Sequence, residues 1–256
     1  MSRLRAKCPD CRTYTAVALG PDYQCHACGR EFRAGLVRVP RAWGNDGEAM
    51  AEAAMLPLAY PEAGVIGEDT LADQTLAIAA ELPERPLILG GCCCAHIGAI
   101  EGLAARNERL AVVWVDTHGD LNTPETSPSG NEWGMPLRMA IDSGAIDPVD
   151  VVLVGVRDLD PPEAEFIAAS GIHEGLDDLP AVLERTQCVY VALDVDALEP
   201  KEVSSHMPAP GGLHVDEVER LFAGLRGHVV GAGITGGVPD PRNVAPLERL
   251  CAALGL

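Results

Sequence analysis

The apolar run 111–115 (Ala-Val-Val-Trp-Val) ends in Asp116, and His118 and Asp120 follow at alternate positions. A short β-branched run of this kind predicts a strand buried on both faces. Alternate side chains of an extended chain share a face, so two carboxylates and an imidazole can converge at the strand's carboxyl end. A core does not collect such groups behind Val-Val-Trp-Val unless a cation compensates them. A second apolar run, 189–193, ends the same way in Asp194 and Asp196. Oxygen and nitrogen donors on two strand ends suit a pair of divalent cations such as Mn²⁺. Two such ions ~3.5–4 Å apart can share a bridging water and acidify it towards hydroxide.

The rest of the chain alternates strand-like and helix-like segments. Strands are expected at 36–39, 87–91, 151–156 and 229–234, and helices at 68–82, 97–106, 135–142, 161–170, 215–225 and 246–254. The segment 215–225 is amphipathic, with Val215, Val218, Leu221, Phe222 and Leu225 on one face. Residues 34–67 are rich in Gly, Pro and Ala and carry no clear period. The alternation predicts an α/β fold, a mostly parallel sheet covered by helices on both faces. Ligands in such sheets bind beyond the carboxyl ends of the strands, where Asp116 and Asp194 fall.

D-T-H-G-D (116–120), L-N-T-P (121–124), S-G-N-E-W-G-M-P (129–136), L-D-V-D-A-L-E-P (193–200) and L-G-G-C-C-C-A-H-I-G (89–98) together resemble the arginase/agmatinase (ureohydrolase) family, from about residue 37 to the C-terminus. The resemblance implies a three-layer α/β/α domain, a homo-oligomer, and hydrolysis of a linear C–N bond in a guanidino or amidino substrate such as arginine or a modified arginine. It implies that Asp116 and Asp194 bridge two metals, that His118 and Asp196 hold one, and that Asp120 holds the other and accepts the proton of a metal-bridged hydroxide. The sixth family ligand, a histidine, falls at Cys93, with His96 as its rival. A thiolate there shifts preference from Mn²⁺ towards Zn²⁺ or another thiophilic ion. Asn122 and Ser129 match positions that recognise the carboxylate end of an amino acid, and Asp160 the position that reads its α-amino group. Equally, Asn122 and Ser129 can be loop hydrogen-bonders, and Asp160 the cap of a helix beginning at Pro161.

Three positions depart from the family. Trp133 stands where arginases have a histidine proton shuttle, Gly236 where they have the glutamate that grips the guanidinium, and Cys93 where they have a metal-binding histidine. Glu132 and His206 are the candidates to supply the missing proton. The alternative is a catalytically weak or inactive relative that binds metal and ligand.

Cys8-Pro-Asp-Cys11 and Cys25-His-Ala-Cys28, thirteen residues apart, have the spacing of a zinc ribbon with one structural Zn. The expected division is a ribbon over 1–34 and the arginase-like domain over 35–256. In the alternative reading the ribbon docks a partner. Residues 1–41 carry 8 Lys+Arg against 3 Asp+Glu, a net of +5; the remainder carries 11 against 35, a net of −24. The acidic body argues against nucleic acid as its ligand. No apolar run reaches the ~18 residues of a membrane span, and no signal peptide is visible. The nine cysteines, which include the metal knuckles and a C-C-C run, read as metal ligands and reduced thiols rather than disulfides, which implies a cytoplasmic location.

Overall fold

Residues 5–20, 22–33 and 35–256 are described by a computed structural model. Residues 1–4, 21 and 34 of the expected ribbon lie outside the described residues. The N-terminal segment forms a small antiparallel sheet of β1 (Ala16–Leu19), β2 (Asp22–Cys25) and β3 (Glu31–Phe32). The Tyr23 and Phe32 rings stack across it at 6.2 Å, while Tyr14 turns outward to donate to Glu62 Oε1 at 2.6 Å.

The body holds β4 (Leu36–Val39), α1 (Glu48–Ala53), β5 (Glu62–Val65), α2 (Leu71–Glu81), β6 (Leu87–Gly90), α3 (Ala95–Ala104), β7 (Leu110–Val115), α4 (Pro136–Asp142), β8 (Val151–Val154), α5 (Pro161–Ser170), β9 (His173–Glu174), α6 (Leu179–Thr186), β10 (Cys188–Asp194), α7 (Val215–Leu225), β11 (Val229–Thr235) and α8 (Val244–Leu254). Eight strands form one sheet in the order β5-β4-β6-β11-β10-β7-β8-β9. Every neighbouring pair is parallel.

Strand alternation sorts the core into two layers. Val112, Trp114, Tyr190, Ala192, Ile88 and Val37 pack with Ile78 of α2, Ala99 and Ile100 of α3, Leu137 of α4 and Ile167 of α5. Val113, Val115, Val191, Leu193, Leu87 and Leu89 pack with Val182 of α6, Val218 and Phe222 of α7 and Leu250 of α8. The result is the expected three-layer α/β/α architecture. Every residue of β7 is buried, as a central strand covered on both faces requires.

Several expected ends move by a turn for local reasons. The helix expected from 68 begins at Leu71, because Thr70 caps it by accepting from Asp73 N at 3.1 Å. The helix expected from 246 begins at Val244, since Pro246 falls in the first turn, where its missing N–H has no partner to lose. The unassigned stretch 34–67 contains α1 and β5. β5 is a four-residue edge strand whose outer neighbour is the N-terminal segment: Lys7 N donates to Glu62 O at 2.8 Å. Beneath that contact Glu62 pairs with the buried Arg38. Covering an edge in this way removes a row of unpaired backbone groups.

The chain order leaves β6 and β7 apart until β10 and β11 fill the space between them. Their carboxyl ends therefore meet in a crevice, the place where open parallel sheets bind ligands. Among the described residues no helix is long and apolar enough to cross a membrane.

Candidate metal centre

A cavity of about 260 Å³ opens at those four strand ends. Cys93 follows β6, Asp116, His118 and Asp120 follow β7, Asp194 and Asp196 close β10, and Gly236 follows β11; all of them line it. Two donor groups form inside. Cys93, Asp116 and Asp120 bring one ligand atom each within 4.8 Å of one another, and so do Asp116, His118 and Asp196.

Asp116 belongs to both groups. Its Oδ2 lies 3.7 Å from Cys93 Sγ, and its Oδ1 lies 3.4 Å from His118 Nδ1. Trp114 Nε1 donates to Oδ2 at 3.1 Å and His118 N to Oδ1 at 2.8 Å, fixing the carboxylate across the two halves. Asp194 lies beside them: Oδ2 accepts from Cys93 Sγ at 3.0 Å and Oδ1 from the backbone N–H of Asp196 at 2.8 Å. Asp196 lies 3.2 Å from His118 Nδ1 and accepts from Thr117 N.

Asp120 adopts a left-handed backbone, φ 52°, which turns its side chain back under the strand end. Its Oδ2 is buried with no protein partner. A buried carboxylate oxygen left alone costs several kcal/mol unless an ion or proton satisfies it, so the donor set fits divalent cations. The electrostatics agree. Burial first, and the like charge of Asp196 second, push Asp116 up to about 7. Burial and neighbouring carboxylates drive Asp120 and Asp194 well above the usual range. Burial opposes a charged His118, but its contacts with Asp116 and Asp196 prevail and hold it at about 12.

His96 is placed elsewhere. Its Nδ1 meets Tyr190 OH at 2.8 Å and its Nε2 meets Thr235 Oγ1 at 3.1 Å, fully buried beneath the site. Burial pushes it down to about 3, so it is a neutral core histidine. Both nitrogens are engaged, and the thiol of Cys93 is the one beside the carboxylates.

The substrate-side residues line the same cavity. Asn122 Nδ2 donates to Asp160 Oδ2 at 2.8 Å, and Ser129 Oγ accepts from Asn131 N at 3.2 Å. Asp160 is also the N-cap of α5, its N–H given to Glu163 Oε2 at 2.9 Å, so the capping role stands as well. His206 lines the cavity 5.9 Å from the Trp133 ring, edge to face. Glu132 is not among the residues lining it; its side chain is exposed on a 3-10 turn. Trp133 occupies a slot under Gly44, where an added Cβ would overlap the indole.

The sequence reading missed Glu163, Thr117, Trp114 and Thr235. Glu163 braces the loop by accepting from Leu121 N at 2.9 Å. Trp114, two residues before Asp116 on its own face, had a readable signal; the others become neighbours only in the fold.

Gly236 has φ 74°, and a Cβ there would collide with the whole Asp194 carboxylate. Gly236→Glu is therefore expected to displace Asp194 and reduce active-site metal affinity at least ~10-fold, measured by competition with a chelator. Unchanged affinity would mean that Asp194 has room elsewhere.

The sulfurs of Cys8, Cys11, Cys25 and Cys28 also lie within 4.8 Å of one another. Cys8–Cys28 and Cys11–Cys25 are each 3.6 Å apart, far beyond a disulfide and close to the edge of a zinc tetrahedron with ~2.3 Å bonds. The Thr15 hydroxyl leads the effects that hold the Cys25 thiol down at about 5.

A profile described as the arginase family matches residues 58–240. An arginase from Bacillus caldovelox is 41% identical over 155 residues, which cover 50% of this chain and 52% of that protein. The chain thus spans about half the length of the curated relative it matches. The crystal structure of an arginase from Bacillus subtilis superposes with a TM-score of 0.72 at 27% identity, covering 87% of this chain and 98% of that one. A formimidoylglutamase from Bacillus subtilis superposes at 0.67 with 18% identity over 87% and 86%, a likeness of fold alone.

Proposed function

Because the chain belongs to the arginase family, we propose that it is a dinuclear-metal hydrolase that cuts a linear C–N bond of a guanidino or amidino compound. The observation that carries this reading is the pair of donor groups sharing Asp116, with Asp120 Oδ2 left without a protein partner. When bound, two divalent cations acidify water and polarise the carbon under attack. Asp116 and Asp194 would hold both ions, His118 and Asp196 one, and Cys93 and Asp120 the other.

Asp120 Oδ2 is the acceptor for the proton of the attacking water. His206 is the donor to the leaving nitrogen, reaching the cavity beside Trp133. Trp133 walls the cavity and sheds water, but its indole carries no exchangeable acid. Asn122, Ser129 and Asp160 form the polar wall for the amino-acid end of the substrate. With no carboxylate at 236, a plain guanidinium is gripped weakly. The proposed substrate is therefore a modified arginine or amidino compound with an easily expelled leaving group. The glycine at 236 and the indole at 133 also favour a second reading, a metal- and ligand-binding relative with little turnover, whose ribbon docks a partner.

Urea and ammonia release decides between them, assayed over arginine, agmatine, guanidinobutyrate, formiminoglutamate and hydroxyarginine with Mn²⁺, Zn²⁺, Ni²⁺ and Co²⁺ in turn. Turnover of one substrate with at least one metal is expected. Silence throughout supports the binding protein.

The ribbon is part of the proposal: residues 1–34 as a zinc-stapled module on the 35–256 domain, held by Cys8, Cys11, Cys25 and Cys28. So small a segment lacks a core of its own and folds on its metal, with about 10 kcal/mol or more of binding energy available. Cys25→Ser is expected to lose about one zinc per chain and to open residues 5–33 to protease, with the active-site ions retained. Equal zinc content in the variant would contradict it. Nine free cysteines suit a reducing compartment, so the cytoplasm is the proposed location. Assembly as a homo-oligomer follows the family.

A further inference from the structure

The two halves of the centre are chemically unlike. One offers sulfur and two carboxylates, from Cys93, Asp116 and Asp120; the other offers two carboxylates and an imidazole, from Asp116, Asp196 and His118. We propose that the centre is built for two different ions: a thiophilic one of the zinc class on the Cys93 side, and a harder one of the manganese class on the His118 side. This rests on the dinuclear reading above and deepens it.

Three features hold the sulfur in its half. Cys93 Sγ lies 3.1 Å from Thr235 Oγ1, 3.0 Å from Asp194 Oδ2 and 3.7 Å from Asp116 Oδ2, and the residue is buried. Thr235 Oγ1 is in turn fixed by His96 Nε2 at 3.1 Å. That contact and Tyr190 occupy both nitrogens of His96, so His96 offers no nitrogen donor in place of the sulfur. Gly236 lacks the Cβ that would collide with Asp194, and the Asp194 carboxylate uses that space beside Cys93.

Donor softness then separates the ions. Thiolates select Zn²⁺ and Co²⁺ over Mn²⁺, whereas carboxylate and imidazole donors accept Mn²⁺. Asp116 presents one oxygen to each side, so this shared carboxylate does not erase the difference.

Cobalt reports the sulfur directly, because a thiolate ligand gives Co²⁺ an intense near-ultraviolet charge-transfer band. Protein carrying zinc only in its ribbon is titrated with Co²⁺, alongside Cys93→His and Asp196→Asn, with folding checked by circular dichroism. All three proteins carry the same ribbon, so any exchange there cancels in the differences. The first equivalent is expected to raise the band in the unaltered protein and in Asp196→Asn, and the second to add none. Cys93→His is expected to bind cobalt without the band. In zinc-loaded protein challenged with Mn²⁺, Cys93→His is expected to release its active-site zinc at an excess at least ~10-fold lower. Two cobalt ions bound without the band would overturn the sulfur assignment and leave the dinuclear reading standing. Equal zinc retention by Cys93→His would overturn it too. No ion bound beyond the ribbon would overturn both.

Discussion

Asp116→Asn is expected to empty both halves of the centre together and to lower turnover on the order of 10³-fold or more. One oxygen of Asp116 faces Cys93 and the other faces His118. Each also accepts a hydrogen bond, from Trp114 Nε1 and from His118 N. An amide keeps one acceptor and sets its NH₂ against one of those donors, so at least one contact turns repulsive. Asp196→Asn touches only the His118 side and is expected to weaken one ion more than the other. Metal content by mass spectrometry, read with initial rates, checks both. An Asp116→Asn protein that keeps two active-site ions would contradict the bridging role.

The second large effect is on stability. Metal-free protein is expected to become less stable as pH rises from 5 to 8. Asp116 is held up at about 7 by burial first and by Asp196 second; Asp120 is raised well above the usual range by burial and then Asp116, and Asp194 by burial and then Asp196. The folded site therefore binds protons that the unfolded chain gives up near pH ~4. The stability tied to them is full below that value and is lost as pH rises through about 7 for Asp116. His118 has the same sign, since its raised pKa contributes fully below ~6.5 and declines above. Glu202 and Asp216 are lowered, by Val215 N–H and by Arg249 respectively, and oppose this trend only as pH falls below ~4. His96, which burial pushes down to about 3, also opposes it below ~6.5, but as one group against the three raised carboxylates, so the trend keeps its sign from 5 to 8.

Divalent ions replace the protons, so the loaded protein is expected to lose this slope. At pH 8 it is expected to melt about 10 °C higher, for a linkage of a few kcal/mol in a chain of this size. Thermal melts with and without active-site metal, the ribbon zinc retained in both, give the answer. A metal-free protein as stable at pH 8 as at pH 5 would mean that the carboxylates are not crowded as described.

Legibility in the sequence followed how local the cause was. Apolar runs such as 111–115 and 189–193 are buried strands because the residues themselves dictate it, and the donors behind them came out at the strand ends. α1, β5 and α6 were not assigned. β5, Glu-Ala-Gly-Val, is a strand because β4 and the ribbon sit beside it, not because of its own propensity. α6 begins with Leu-Pro after a turn rich in Asp, which reads as loop. The choice between Cys93 and His96 depended on where the helix after β6 begins. It begins at Ala95, which turns the imidazole inward to Tyr190. Glu132 neighbours the cavity in sequence, but the 3-10 turn sends it outward. The meaning of Gly236 was out of reach, because its neighbour Asp194 comes from another strand.

The most direct test is a crystal structure of protein saturated with Mn²⁺ and Zn²⁺, with anomalous data collected at both absorption edges. Two ions about 3.5–4 Å apart are expected between Asp116 and Asp194, one touching Cys93 and Asp120 and the other His118 and Asp196. A saturated crystal with metal in the Cys8–Cys11–Cys25–Cys28 site and none at the strand ends would contradict the proposed hydrolase.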